Sequence, residues 1–286
     1  MSEWVAIQKT THKNARWENH THYNFAKTSA VAPVLLAELT QLLPYYPLAF
    51  VKTSEAATEN FQLVALLSIQ PGVNYYANID GKWRVPYVPS TFRSHPFKLV
   101  AKNPEEFVLC LDQTSEFLSL TGETSYSQPL FSISQDAAEK VELAEPVTQV
   151  LNFLQQCQAN QQLTQQAVNL LAKHNLIQPW EIEQAAATLT DAEIATGKTQ
   201  AAATPVKGVF QINTEALQQL TGEALAELNQ HKALELAYAQ LFSKPRLQAF
   251  AGLSNLHQQE QEAHLAAENL DLEHVFGEQE DDLFRF

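Results

Sequence analysis

Short apolar stretches separated by turn residues dominate the chain up to residue 134. Those with the length and the β-branched and aromatic content of strands cover residues 61–69, 73–79, 83–88, 97–100 and 107–111. Asp80-Gly81 lies between two of them and is typical of a hairpin turn, because glycine adopts a positive φ without strain. Residues 31–43 alone in this half have helical spacing, so we expect a helix that ends before Pro44.

From residue 135 onward the chain is rich in Ala, Leu, Gln and Glu, a mixture that favours helices. The apolar spacing predicts helices over residues 136–144, 147–158, 164–173, 179–189 and 223–242. Pro146 separates the first two, and we expect a helix break at His231 and Lys232. Residues 209–212 alternate like a short strand, Thr214 is expected to cap a helix, and residues 191–208 have the composition of an exposed connection.

These patterns predict an α+β fold, with a β-rich N-terminal half that contains hairpins and a mostly α-helical C-terminal half. We expect residues 1–134 and 135–256 to pack together as one compact domain. Residues 257–286 contain nine acidic residues against one arginine, which gives −8 of the total net charge of −14. We expect this acidic tail to be partly disordered or to dock on another surface.

The charge also narrows the classes of partner. A net charge of −14 on 286 residues argues against nonspecific binding to nucleic acids or anionic membranes, since both are polyanions. The most apolar long stretch, residues 31–43, carries Glu38 and is too short to span a bilayer, so no integral membrane segment is expected. The N-terminus lacks a basic region followed by an apolar one, which predicts a cytoplasmic protein. The alternative is the cell surface, reached by export without a signal.

Few residues suggest familiar chemistry. Cys110 and Cys157 are the only cysteines, they do not form a CxxC pair, and we interpret them as buried or inert thiols. The glycine-rich phosphate motifs and the GxSxG hydrolase motif are absent from a chain with eight glycines, which disfavours a nucleotide enzyme. No cofactor is predicted.

The C-terminus combines acidic residues with bulky apolar ones. Glu278 to Phe286 reads as a short docking peptide whose anchors would be Leu283, Phe284 and Phe286. The alternative is a frayed terminus that adds solubility.

A series of ordered motifs resembles the SapC family. The clearest covers residues 78–97, where an Asp-Gly turn is followed by Trp, Tyr-Val-Pro, Arg and Pro-Phe. Other similar blocks occur in the family's order, at Asn19-His20, Glu38, residues 46–50, Leu111-Asp112, Gly122, residues 129–131 and residues 234–243. Two features depart from the family pattern: Arg93 stands without a second arginine, and Leu130-Phe131 is followed by Ser132 rather than Asp.

The resemblance implies a context more than a reaction. The family takes its name from a member associated with bacterial surface-layer formation. Members also occur in gene neighbourhoods with TonB-dependent receptors, halogenase-like proteins and cupin-like proteins. It supplies no established set of catalytic residues, and it implies a functional link to a halogenase-like or cupin-like protein.

The densest mixture of aromatic and cationic side chains lies within residues 83–97. Arg93 can present its planar fork to a carboxylate or phosphate while aromatic rings wall a pocket. The predicted ligand-binding residues are Trp83, Arg84, Tyr87, Arg93 and His95. The alternative is a packing cluster at the edge of the core, in which Arg93 pairs with an acidic neighbour.

His20 and His22 are the best metal candidates, because alternate residues of a strand face the same way and a distant Asp80 or Asp112 could complete the site. The alternative for His20 is a structural hydrogen bond, and for Asp112 a turn cap. Neither a catalytic site nor a metal site is predicted.

We therefore expect a noncatalytic accessory or binding protein that acts with partner proteins in a bacterial surface or outer-membrane uptake system. The alternative is an enzyme or small-ligand-binding protein that uses residues 83–97, with or without a metal held by His20 and His22. A structural protein of the surface layer is a third hypothesis.

Overall fold

The strands are short and lie mainly in the first half of the chain. The computed structural model describes residues 2–53, 60–103, 106–122, 125–133, 141–183, 205–206 and 208–276. In chain order the strands are β1 (Trp4–Ala6), β2 (Arg16–Trp17), β3 (Val31–Pro33), β4 (Leu48–Thr53), β5 (Asn60–Leu66), β6 (Phe97–Ala101), β7 (Phe107–Asp112), β8 (Leu118–Ser119), β9 (Gln128–Pro129), β10 (Phe131–Ile133), β11 (Val141–Leu143), β12 (Ile177–Pro179), β13 (Ile182–Glu183), β14 (Pro205–Val206) and β15 (Val209–Ile212).

The helices dominate the second half of the described chain. They are α1 (Leu39–Leu42), α2 (Ser90–Arg93), α3 (Glu145–Lys173), α4 (Thr214–Gln218), α5 (Gly222–Gln230), α6 (Ala233–Ser243) and α7 (Ala249–Phe276), with 3₁₀ turns at Asn24–Ala26, Leu36–Glu38 and Lys244–Gln248. The described residues include no helix that is both long enough and apolar enough to cross a membrane.

A five-stranded antiparallel sheet in the order β12-β15-β4-β5-β3 supports the larger of two cores. Phe50 of β4 lies opposite Leu63 on one side and Phe210 on the other. Helices α3 and α6 pack on this sheet and bury Leu171 and Leu236 completely.

A smaller core lies among three other antiparallel sheets, with the strand orders β1-β7-β6, β8-β2-β9 and β10-β11. Its buried residues include Trp17, Phe97, Leu111 and Leu130. Trp17 and Phe97 meet edge to face, with ring centroids 4.8 Å apart, an arrangement that aromatic pairs prefer.

Helix α3 connects the two cores. Val147, near its N-terminus, is buried in the smaller core, whereas Val168, near its C-terminus, is buried in the larger one. With 29 residues, the helix is about 44 Å long at 1.5 Å per residue. It therefore passes both cores.

The predicted fold class is confirmed, and so are several elements. Strands β5, β6, β7 and β15 lie where the apolar stretches predicted them, and the helix break falls at His231 and Lys232, where Lys232 has a left-handed φ of 57°. Gly81 has a φ of +77°, as the Asp-Gly turn requires. The hairpin around it is reduced to a single bridge between Ala77 and Trp83.

The predicted helix over residues 31–43 is mostly wrong. Residues 31–33 form strand β3, Leu36–Glu38 is a 3₁₀ turn, and only Leu39–Leu42 is α-helical. The turn is held by α3, because Thr164 Oγ1 accepts from Leu36 N at 3.0 Å and Asn160 Oδ1 accepts from Ala37 N at 3.1 Å. The apolar spacing reflects burial of Leu39 and Leu42 rather than a long helix.

Other boundaries in the helical half also differ. Helix α3 is continuous over residues that were predicted as two helices, and Pro146 lies in its first turn, where a missing N–H costs nothing. Val141–Leu143 is a strand, as are Ile177–Pro179 and Ile182–Glu183, and Asn213 rather than Thr214 caps α4 by accepting from Ala216 N. Residues 136–140, 184–189 and most of 191–207 lie outside the described residues.

Candidate binding site beside Arg93

The predicted ligand-binding residues separate into three groups in the structure. Tyr87 and Arg93 meet the buried carboxylate of Glu38. Trp83 and Arg84 contact other partners, and His95 lies in an aromatic cluster.

Glu38 is the anchor of the first group. It ends the Leu36–Glu38 turn, is 4% exposed, and its Oε1 accepts from the backbone N–H of Leu35 at 3.4 Å. Its Oε2 accepts from the hydroxyl of Tyr87 at 3.2 Å and from the backbone N–H of Ser90 at 3.1 Å. These bonds replace the water that the carboxylate loses on burial, as a buried charge requires.

Arg93, at the C-terminus of the short helix α2, completes this group. Its Nη2 donates to the Tyr87 hydroxyl at 2.8 Å and lies 3.7 Å from Glu38 Oε2. The guanidinium lies 5.1 Å from the centroid of the Tyr87 ring and 5.5 Å from that of Phe153, a residue of α3. Cation–π contacts on two rings and a bond at one edge hold the planar fork in a fixed orientation.

The Tyr87 hydroxyl links the arginine to the carboxylate. Burial and the nearby negative charge of Glu38 raise the pKa of Tyr87 to about 12. The hydroxyl therefore stays protonated at neutral pH, so that it donates to Glu38 while its oxygen accepts from Arg93.

A cavity of about 550 Å³ adjoins Arg93, and we call it the Arg93 cavity. Helix α3 forms one wall, strands β2 and β9 contribute another, the end of α2 lies along a third side, and the cavity is open to solvent. The lining residues are Trp17, Asn19, Arg93, Ser94, Gln128, Pro146, Gln149, Val150 and Phe153. Those from α3 recur at helical spacing, which places them on one face of the helix. The volume is in the range of sites that hold small organic ligands.

Trp17, one of the lining residues, also has an unused donor. Its side chain is 2% exposed, and its indole N–H has no hydrogen-bond partner in the described part of the chain. A buried donor without a partner costs free energy, which an acceptor from a bound molecule would offset.

Trp83 and Arg84 serve internal contacts. The Trp83 indole N–H donates to the hydroxyl of Tyr46 at 2.7 Å. Arg84 donates through Nη1 and Nη2 to the two carboxylate oxygens of Glu260, at 2.8 and 2.5 Å, and through Nε to the carbonyl of Tyr75 at 2.9 Å. The Trp83 bond joins the turn around Gly81 to the large core. The Arg84 bonds to Glu260 join helix α7 to the segment that follows this turn.

His95 is stacked on Phe25, with ring centroids 3.8 Å apart, and its Nε2 lies 2.8 Å from Ser115 Oγ. Burial, opposed by the charge of Asp112, lowers its pKa to about 4. The imidazole is therefore neutral at pH 7, and it faces the aromatic cluster rather than the Arg93 cavity's lining.

The two metal candidates have separate partners. His20 Nδ1 donates to the backbone carbonyl of His95 at 3.2 Å, whereas His22 Nε2 lies 3.3 Å from Glu116 Oε2. Within the described ranges, no three His, Cys, Asp or Glu side chains are grouped so that they could hold a metal ion. Asp112 caps a turn, as one alternative predicted, by accepting from the N–H of Glu3 and from Thr114.

The cysteines have environments that favour the thiol. Burial raises the pKa of both Cys110 and Cys157, and the charge of Glu38 adds to the effect at Cys157. The predicted docking residues Leu283, Phe284 and Phe286 lie outside the described residues, so their role stays a prediction.

Several residues of the site were not predicted from the sequence. Glu38 gave a usable signal, since a single carboxylate in an apolar stretch has to find partners when it is buried. The helical spacing of Pro146, Gln149, Val150 and Phe153 was visible, but nothing in it pointed to strands β2 and β9. Trp17 carried no signal, because its contribution depends on which donors remain unpaired after folding.

Comparison with known proteins gives one match. The family model described as SapC matches residues 7–250 of the 286-residue chain. No curated protein and no solved structure matches significantly. The matched range includes every residue of the Arg93 cavity and Arg84, but it ends before Glu260.

Proposed function

This chain is a member of the SapC family, and on that premise we propose that it is a noncatalytic binding protein whose ligand occupies the Arg93 cavity. The observation that carries the proposal is the state of Arg93. Its guanidinium is oriented by Tyr87, Phe153 and Glu38 at the side of a cavity of about 550 Å³. A fixed cation beside a cavity lined with amides and aromatic rings has the composition of a recognition site.

The use of the neighbouring titratable groups supports binding rather than catalysis. Glu38 accepts three hydrogen bonds from the protein, and the Tyr87 hydroxyl both donates and accepts. A general base must be free to take a proton from the substrate. Glu38 instead serves to position Arg93.

We also propose that the protein acts with a protein partner, in the cytoplasm, as an accessory component of a surface or outer-membrane uptake system. The support is the family's association with such systems and the acidic C-terminus with its anchors Leu283, Phe284 and Phe286. The test compares the full chain with a chain lacking residues 278–286 in binding to a halogenase-like or cupin-like protein from the same organism. Equal binding by the two chains would remove the tail from the proposal.

The ligand site can be tested by filling the cavity. Val150→Trp places a larger side chain on the α3 wall, and Leu163→Trp adds the same bulk at a position of α3 that is 54% exposed and outside the cavity. A fluorinated fragment library is screened by ¹⁹F NMR against the unaltered protein and both variants. We expect fragments that bind the unaltered protein and Leu163→Trp but not Val150→Trp. Fragment binding that is the same in all three proteins would contradict the proposal.

A further inference from the structure

We infer that the Arg93 cavity recognises a carboxylate attached to an amide and an apolar side chain, the chemistry of an N-acylated amino acid. The inference rests on the proposed ligand site and adds the class of ligand. Three features of the lining carry it: two unused nitrogens of one guanidinium, a set of amide side chains with a buried indole N–H, and an apolar stripe on α3.

The carboxylate is assigned to Arg93. It is the one charged side chain among the described lining residues, and its side chain is 40% exposed. In the described part of the chain its hydrogen bond and its ion pair both use Nη2, which leaves Nε and Nη1 for a second partner. Each of these N–H groups can donate a charge-assisted hydrogen bond to a carboxylate oxygen.

Glu38 changes how this recognition works. Its negative charge lies 3.7 Å from Nη2, so the pair has no net charge and long-range attraction of anions is weak. Affinity then depends on directional hydrogen bonds from a guanidinium that Glu38, Tyr87 and Phe153 hold in place. Binding should accordingly respond weakly to salt, unlike binding by a cluster of lysines.

The amide is assigned to the polar part of the lining. Trp17 offers a buried donor without a partner, and Asn19, Gln128 and Gln149 each offer both a donor and an acceptor. Inorganic anions carry acceptors alone and would leave the amide oxygens unsatisfied. A secondary amide supplies an acceptor for the indole N–H and a donor for a side-chain oxygen.

The apolar side chain is assigned to the α3 wall. Pro146, Val150 and Phe153 lie on one helical face, and Phe153 is already fixed by its contact with the Arg93 guanidinium. Burying an aromatic or branched side chain there is favourable by the hydrophobic effect.

The test uses three compounds that differ by one group. N-acetylphenylalanine has all three features. The second compound, N-acetylphenylalanine with its carboxylate converted to a C-terminal amide, lacks the carboxylate, and the third, 3-phenylpropionate, lacks the amide. Binding to the ¹⁵N-labelled full chain is followed by NMR at the Trp17 indole N–H, which is assigned by its loss in Trp17→Phe. We expect N-acetylphenylalanine to move this resonance downfield, because the N–H gains an acceptor, and 3-phenylpropionate to bind without that change.

Variants separate the two polar contributions. Arg93→Gln should weaken N-acetylphenylalanine about tenfold and leave its C-terminal amide unchanged, since only the acid uses the guanidinium. Arg84→Gln is the matched control and should leave both affinities unchanged, because Arg84 is paired with Glu260 away from the cavity. Trp17→Phe serves only to assign the indole resonance, and affinities are measured on the unaltered protein and the arginine variants.

Two natural sources share this chemistry, a free N-acyl amino acid and the C-terminus of a peptide. N-octanoyl-phenylalanine and a tripeptide ending in phenylalanine distinguish the two sources. Higher affinity for the first would indicate a free N-acyl amino acid, and higher affinity for the second would indicate the C-terminus of a peptide. Equal affinity for all three test compounds, or no shift of the Trp17 resonance with any of them, would overturn the inference. Fragments that bind the unaltered protein but not Val150→Trp, together with no binding of the three test compounds, would show that the cavity is a ligand site of another class.

Discussion

Arg84 and Arg93 lie in the same segment of the chain, between the Gly81 turn and strand β6, yet their guanidinium groups have different surroundings. Arg84 is 12% exposed and makes three hydrogen bonds, two of them to Glu260. Arg93 is 40% exposed, bonds through one nitrogen and lies between two aromatic rings beside a cavity. Residue type therefore does not distinguish a structural arginine from a binding one, whereas the number of unused donors does.

The largest effect should come from the carboxylate behind Arg93. Glu38→Gln keeps one acceptor oxygen, so its amide NH2 faces the N–H of either Leu35 or Ser90, and the Arg93 charge loses its partner. We expect the free energy of unfolding to fall by about 3–5 kcal/mol, because hydrogen bonds to a charged group contribute about 1.5–3 kcal/mol each and a buried N–H left without an acceptor costs about 1–3 kcal/mol. Urea denaturation measures it.

Glu262→Gln is the control for that change, since its carboxylate lies on the exposed face of α7 and accepts one bond from Gln258. It should change the free energy of unfolding by less than about 0.5 kcal/mol. A similar loss in the two variants would mean that Glu38 does not organise the Arg93 group.

The pH dependence of stability should show whether the contacts of His95 or those of Arg84 weaken first. His95 has a pKa of about 4 in the folded protein, against an ordinary value of 6.5. Because the unfolded chain binds the proton first, stability is fully present above about pH 6.5 and is lost as the pH falls towards 4. At 1.36 kcal/mol per pKa unit the loss is at most about 3 kcal/mol. Thermal unfolding between pH 7 and 4 measures it.

The His95→Gln variant isolates this contribution, because burial also lowers the pKa values of His20 and His257 and both act in the same direction. The stability advantage of the unaltered protein over this variant should shrink as the pH falls, because only the unaltered protein loses the His95 contribution. The Arg84–Glu260 contact should persist to lower pH, since the hydrogen bonds from Arg84 hold the pKa of Glu260 below the ordinary value of 4.5. A difference that stays constant with pH would contradict the neutral state of His95.

Removing Arg84, whose three side-chain nitrogens all make hydrogen bonds, should lower the stability less. Arg84→Gln loses the paired bonds to Glu260, and we expect the free energy of unfolding to fall by about 2 kcal/mol, as for other charged hydrogen bonds. Hydrogen exchange should become faster in α7 around Glu260. Lys102→Gln breaks an exposed ion pair with Glu106 and should cost less than about 1 kcal/mol. Equal losses of stability in Arg84→Gln and Lys102→Gln would show that the Arg84–Glu260 pair contributes no more than an exposed ion pair.

Local patterns predicted the elements that depend on local chemistry. Strands β5 to β7 and the turn at Gly81 could be located because alternation and a positive φ are encoded within a few residues. The 3₁₀ turn at Leu36–Glu38 could not, because the side chains that hold it, Thr164 and Asn160, are far along the chain.

The site was predicted in part for the same reason. Tyr87 and Arg93 were identified because an arginine among aromatic residues is visible in the sequence. Their partners Glu38 and Phe153 come from elements on either side of them, and only tertiary packing brings these together. Arg84 looked equivalent to Arg93, since the sequence does not show that α7 places Glu260 against it.

Among Glu38, His95 and the two arginines, the smallest effect on stability should come from Arg93. Arg93→Gln removes one hydrogen bond and the contacts with two rings, while Glu38 keeps its bonds from Leu35, Tyr87 and Ser90. We expect the free energy of unfolding to fall by about 1 kcal/mol or less, because an exposed charge contributes little to folding. The same variant should lose about tenfold in affinity for N-acetylphenylalanine, measured by titration calorimetry. A large loss of stability in Arg93→Gln would place Arg93 with Arg84 as a structural residue, and the contrast between an arginine that closes the fold and one that serves the cavity would disappear.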